Sequence, residues 1–137
     1  MTHPFHLALP VTNLADATKF YESVLGCSRG REDEHWIDFN LYGHQLVCHL
    51  SEASSPTIQN AVDGDSIPVL HFGVILNFEE FDSLAARLTE SNQQFIVEPR
   101  TRFAGQAGEQ RTMFLLDPSG NAIEFKAFAS LDSLFES

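Results

Sequence analysis

The stretch Val69-Leu70-His71-Phe72-Gly73-Val74-Ile75-Leu76-Asn77-Phe78-Glu79-Glu80-Phe81 decides the fold. Its first eight residues are mostly apolar and β-compatible, interrupted by one histidine and one glycine. Asn77 then suits a helix N-cap, and Glu80 sits in the first turn, where the helix dipole favours an acid. Phe78, Phe81, Leu84, Ala85 and Leu88 follow at helical spacing. The same order opens the chain. Phe5 to Val11 reads as a strand, Asn13 as a cap, and Leu14, Ala17, Phe20, Tyr21, Val24 and Leu25 as a helical stripe stopped by Gly26. His6 and His71 lie 65 residues apart, and the helix positions pair at a shift of 64, Leu14 with Phe78 and Phe20 with Leu84.

Each helix is followed by hairpin material. In the first half this is Trp36 to Leu41, a turn at Tyr42-Gly43, and Gln45 to Leu50. In the second it is Thr112 to Leu116, the turn Asp117-Pro118-Ser119-Gly120-Asn121, and Ala122 to Phe128. The expected class is α+β, with βαβββ written twice. One domain over residues 1–137 is expected: a first module at about 3–51, a linker at about 52–68, a second module at about 69–129 and a tail over 130–137. The tail is a candidate for a short terminal helix.

Composition narrows the function classes. Eight Lys+Arg against nineteen Asp+Glu leave a formal charge of −11. Such a chain is repelled by phosphate backbones and anionic lipid, so neither nucleic acid nor membrane is an expected partner. Apolar runs fall far short of the roughly 20 residues that span a bilayer. The start Met1-Thr2-His3-Pro4 lacks the features of a secretory signal. Cys27 and Cys48 make no disulfide framework and read as structural thiols, which fits a cytoplasmic setting.

Strand alternation selects the chemistry. His6, Ala8 and Pro10 share one face of the first strand, and His71, Gly73 and Ile75 one face of the corresponding strand in the second half. Their bulky neighbours face the helices. In the last strand Ile123, Phe125 and Ala127 suit helix packing, leaving Ala122, Glu124 and Lys126 opposite. A glutamate between isoleucine and phenylalanine is costly to bury unpaired, and a metal ion or other cation compensates it. Two imidazoles and one carboxylate form a facial triad that suits iron(II) and leaves coordination positions open. The alternative is a pair of hydrogen-bonded core histidines and a rim glutamate; the equivalent repeat positions favour the metal.

These residues carry a resemblance to the vicinal-oxygen-chelate superfamily, the glyoxalase, bleomycin-resistance and extradiol-dioxygenase group. The matching text is His6-Leu7-Ala8-Leu9-Pro10-Val11, Phe20-Tyr21 through Val24-Leu25-Gly26, Leu70-His71-Phe72-Gly73-Val74 and Asp117 through Phe125, so the likeness spans nearly the whole chain. It implies paired βαβββ modules in a half-open barrel around a divalent metal held by His6, His71 and Glu124, with a small-molecule substrate and a homodimer. Trp36-Ile37-Asp38-Phe39, Gly43-His44-Gln45-Leu46-Val47 and Phe125-Lys126-Ala127-Phe128 most resemble a bacterial subgroup of extradiol-type dioxygenases. That implies iron(II) and a catechol-like substrate. A glyoxalase I-like isomerase or a thiol transferase using manganese, nickel or zinc is the second reading. A metal-free protein that sequesters a drug is the third. Counting from Gly43 and Gly120, the counterpart of Glu124 is Val47, which cannot coordinate, so three protein ligands are expected rather than the four of a glyoxalase I. His49 lies on the Val47 side, so a histidine fourth ligand is the open alternative.

His49 is also a candidate acid or base, with an edge-strand histidine as the alternative; His44 reads as a turn histidine. Trp36, Asp38 and Asn40 alternate toward the same side, with Trp36 and Asp38 as candidate substrate contacts. Arg111, Met113 and Leu115 are expected to approach the site from the other half, with Arg111 and Met113 as substrate contacts, while Phe114 and Leu116 are expected to pack against helix. The segment Pro99 to Gln110, with Arg100 and Arg102, is a candidate anion-binding lid or an ordinary mobile loop. No organic cofactor is expected.

Overall fold

The fold is described by a computed structural model covering residues 3–52, 59–62 and 65–135. It divides into two compact units, Met1–Pro56 with Asp117–Asn121, and Thr57–Leu116 with Ala122–Ser137. The α+β reading holds: each unit has an open mixed sheet backed by one helical segment, and neither sheet closes on itself.

In unit 1 the strands are β1 (His6–Val11), β2 (Ser28–Glu32), β3 (Trp36–Leu41) and β4 (His44–Leu50), ordered β1-β4-β3-β2, with β1 parallel to β4. Helix α1 (Leu14–Thr18) is capped by Asn13, whose side chain accepts from Asp16 N at 2.9 Å. The helical stripe read as continuous to Leu25 changes pitch. Lys19–Val24 is a wider π-helical turn, closed by Leu25 N donating to Phe20 O, and Gly26 at φ +84° ends it. Phe20, Tyr21 and Leu25 are buried there, together with Val11, Phe39, Leu41, Leu46 and Cys48. Asp117–Asn121, the turn between Leu116 and Ala122, completes the unit. Asp117 Oδ1 accepts from the amides of Ser119 and Asn121, and Oδ2 accepts from Asn121 Nδ2 and from the Tyr21 hydroxyl at 2.7 Å.

In unit 2 the sheet runs β7-β11-β10-β9, with β7 (His71–Phe72) and β8 (Ile75–Leu76) parallel to β11 (Ala122–Phe128), and with β9 (Phe95–Arg102) and β10 (Gln110–Leu116) antiparallel. Helix α2 (Phe78–Glu90) starts with a full capping box between Asn77 and Glu80. Its buried Phe81, Leu84 and Leu88 pack toward β8, β10 and β11, where Met113, Leu115, Ile123, Phe125 and Ala127 are also buried.

Two expectations change. The linker contains a hairpin, β5 (Gln59–Val62) with β6 (Asp65–Pro68). Its signal is Asp63-Gly64, a preferred hairpin dipeptide; residues 53–58, 63 and 64 of that linker lie outside the described set. Buried Ile67 packs with Val97, Phe114 and Ala122 on the sheet face away from α2. Of the lid segment, residues through Arg102 belong to β9, and only 103–109 form a loop, tied by Gly105 N donating to Glu109 Oε1. The tail forms one 3-10 turn, Leu131–Ser133, and its last residues, 136 and 137, are outside the described set.

Candidate metal centre

In unit 2 the last strand brings Glu124 beside His71. Parallel pairing sets His71 opposite Ala122, which leaves Gly73 level with Glu124. A Cβ on Gly73 would overlap the Glu124 carbonyl, so the close approach of the strands requires glycine. Glu124 Oε1 stands 3.5 Å from His71 Nε2. Glu124 Oε2 accepts from the buried Thr112 hydroxyl at 2.7 Å, which fixes the carboxylate. His71 Nδ1 lies 2.6 Å from the Pro68 carbonyl, and Phe114 meets the ring edge-on at 4.8 Å. A carbonyl only accepts, so Nδ1 carries a proton, and Nε2 meets the carboxylate either as a second N–H or, in the neutral ring, through its lone pair. Two acceptors facing each other need a proton or a cation between them. Two ligands, each about 2.1 Å from one ion, stand about 3.0–3.5 Å apart, and the observed spacing fits.

In unit 1 the histidine face is also built by register. His6, Ala8 and Pro10 pair with Gln45, Val47 and His49, which pair in turn with Asn40, Asp38 and Trp36. His6 Nδ1 lies 2.8 Å from Gln45 Oε1, and Gln45 Nε2 donates to Asp38 Oδ2 at 3.2 Å. The two registers match. Gln45 opposite His6 corresponds to Ala122 opposite His71, so Val47 is the counterpart of Glu124, as the Gly43 and Gly120 spacing implied. His49 is exposed and lies one pleat repeat, about 6.6 Å, beyond that level, so it does not occupy the glutamate's place. Trp36 is half-buried and Asp38 buried, both on the His6 face. His44 accepts from Phe5 N through Nδ1 and is structural.

The expected faces of β10 are reversed. Thr112 and Phe114 share the Glu124 face, because Phe114 pairs with Glu124 and Thr112 with Lys126. Arg111 and Met113 lie on the α2 face. Met113 is fully buried, while Arg111 binds both carboxylate oxygens of Asp82 at 2.6 Å and covers the Phe78 ring at 4.2 Å. Both side chains therefore lie on the face opposite Glu124. The turn length held the signal: five residues between Leu116 and Ala122 place 112, 114 and 116 on the side of 122, 124 and 126. Gln45, Thr112 and the Pro68 carbonyl were missed because an orienting partner has no sequence signature of its own. Among the described residues, neither unit gathers three or more His, Cys, Asp or Glu side chains at metal-holding spacing.

The profile of the Glyoxalase/Bleomycin resistance protein/Dioxygenase superfamily matches residues 3–125. A glyoxalase/bleomycin resistance protein/dioxygenase from Alicyclobacillus acidocaldarius is 32% identical over 98% of this chain and 97% of its own, with a TM-score of 0.80. The fold is shared with the fosfomycin resistance protein FosX from Listeria monocytogenes, at 16% identity, TM-score 0.71 and coverage of 97% and 98%. It is shared too with lactoylglutathione lyase from Agrobacterium tumefaciens, at 17% identity, TM-score 0.67 and coverage of 100% and 98%. With its repeated strand–helix units, its paired histidine positions and a profile match over most of its length, the chain belongs to the glyoxalase/bleomycin resistance protein/dioxygenase superfamily.

Proposed function

We propose that the chain is a mononuclear metal enzyme that opens the ring of a catechol-like small molecule in the extradiol manner. The observation that carries the reading is the His71–Glu124 pair, an imidazole nitrogen and a carboxylate oxygen 3.5 Å apart and each anchored from behind. His6 is the proposed third ligand, supplied within the chain or across the dimer, and its Nδ1 likewise meets an acceptor oxygen. Val47 at the position of Glu124 supports three protein ligands and therefore open positions for substrate and dioxygen. Iron(II), when bound, supplies charge stabilisation for two vicinal oxygens and one-electron chemistry toward dioxygen. Manganese, nickel or zinc suits the same donors and is the metal of the second reading, glyoxalase I-like or thiol-transfer chemistry.

The remaining work falls to the chain. Trp36 offers an aromatic face for stacking, while the Asp38 carboxylate accepts from Gln45 Nε2. His49, on the same face as Val47, serves as base for a catechol hydroxyl and then as acid toward the leaving oxygen. The enzyme acts as a homodimer, supported by the open strand edges of both sheets and the usual preference for two-fold pairing. Two buried thiols that form no disulfide suit a reducing compartment such as the cytoplasm.

The test is metal analysis of anaerobically purified protein followed by oxygen uptake with a catechol panel. Stoichiometric iron and catechol-dependent uptake, both lost in Glu124→Ala, are expected. Bound zinc, nickel or manganese with turnover of methylglyoxal and a thiol, and no oxygen uptake, would replace this reading with the second. A protein that binds aromatic drugs with no metal would replace it with sequestration.

A further inference from the structure

We infer that Asp38 and Gln45 form a relay that sets the ring tautomer of His6 and so makes its Nε2 available as a ligand; the inference rests on the metal-site reading above. All three residues belong to unit 1. Asp38 is buried on β3, and its Oδ2 accepts from Gln45 Nε2 at 3.2 Å. An ionised carboxylate only accepts, so the amide nitrogen of Gln45 must face it. A flipped amide would set oxygen against oxygen. Its Oε1 is thereby turned to His6 Nδ1, 2.8 Å away. That oxygen also only accepts, so Nδ1 is the protonated nitrogen of the neutral ring and Nε2 holds the lone pair. Asp38 thus acts on His6 through Gln45, without touching it.

The comparison between the halves supports a selected arrangement. In the second half the position of Gln45 is Ala122, and the Pro68 carbonyl does the same work for His71. Two different devices produce one tautomer at equivalent positions. A hydrogen-bonded structural histidine needs no particular nitrogen left free, whereas a ligand does, and orienting partners of this kind commonly govern metal affinity. Asp38 and Gln45 are positioning residues by this account.

The experiment reads the tautomer without metal. Long-range proton–nitrogen spectra of the ¹⁵N-histidine-labelled, metal-free chain, at a pH where imidazole is neutral, should show His6 protonated at Nδ1. Gln45→Leu and Asp38→Ala should move it toward protonation at Nε2, while Asp38→Asn, which keeps an oxygen acceptor, should retain the wild-type spectrum. Titration with cobalt(II) should then show affinity falling about 10–100-fold in Gln45→Leu. Urea midpoints of the same variants identify any that fail to fold, and Gln45→Leu carries the comparison if Asp38→Ala does. An unchanged His6 spectrum in Gln45→Leu, or a changed one with unaltered cobalt affinity, overturns the relay. Equal cobalt binding by wild type and His6→Ala overturns the metal-site reading instead, and the metal-free spectra still decide the tautomer.

Discussion

Tyr21 shows how one buried hydroxyl ties stability to pH. Its ring is fully buried against Phe20 and Phe39, and its hydroxyl donates to Asp117. Burial first, and the Asp117 charge second, hold the hydroxyl protonated well above the usual tyrosine range. The folded chain keeps a proton that the unfolded chain releases above about pH 10, so stability is whole below that pH and falls as the pH rises past it. Tyr21→Phe should cost about 1–3 kcal/mol at neutral pH by removing a donor to a buried carboxylate, and should flatten the alkaline loss; urea unfolding at pH 7 and pH 10.5 reads both. A variant as pH-sensitive as wild type would contradict this. Burial likewise pushes the Cys48 thiol up to about 12, so Cys48 should not react quickly with a disulfide reagent until the chain unfolds. Val47 tests the reaction type. Val47→Glu places a carboxylate at the counterpart of Glu124, and should tighten zinc or nickel binding and suppress catechol-dependent oxygen uptake. Uptake at the wild-type rate would remove the argument from an open coordination position.

At the scale of elements, strand spacing sets the site. Gly73 lets β7 and β8 run against Glu124, and its counterpart Ala8 pairs with Val47 in β1 and β4. Gly73→Ala should therefore lower stability by about 3 kcal/mol or more, since backbone rather than a movable side chain must yield. Ala8→Gly should cost only about 1 kcal/mol, the ordinary effect of glycine in a strand. Thermal or urea unfolding of the pair checks the contrast, and equal losses would refute it. Strand and helix types were readable from Asn13, Asn77 and the apolar spacing because these signals are local. The β10 faces were misread because Phe114 and Leu116 look like helix-facing residues, and only the hairpin register puts Phe114 opposite Glu124. The pitch change at Lys19–Val24 left no mark in the apolar stripe, since Phe20, Tyr21 and Leu25 suit either winding.

For the whole molecule, the proposed ligands His6, His71 and Glu124 predict a shared stabilisation by metal. Metal at about 100 times its dissociation constant should raise unfolding free energy by about 2.7 kcal/mol. His6→Ala in unit 1 and Glu124→Ala in unit 2 should each abolish that increment, measured by urea unfolding with and without manganese. An increment that survives His6→Ala would confine binding to unit 2. The homodimer is checked by sedimentation at micromolar concentration, where a monomer would refute it. The charge of −11 also predicts no retention on anionic vesicles or DNA at physiological salt. Among the described residues no helix is long and apolar enough to cross a membrane.

Sequence alone determined the repeat, the α+β class and the choice of His6, His71 and Glu124, because period-2 alternation, N-caps and turn residues act over a few neighbours. The Val47 correspondence was legible for the same reason, through two glycines that end matching hairpin turns. Tertiary structure alone decided what stands behind those side chains. Pro68, Gln45 with Asp38, and Thr112 come from other strands, and their roles depend on register and on which atom can donate. The pairing of Arg111 was hidden for the same reason, since its partner Asp82 lies 29 residues away on a helix. Hydrogen-bond direction and long-range pairing are properties of the folded chain, and no local pattern of residue types encodes them.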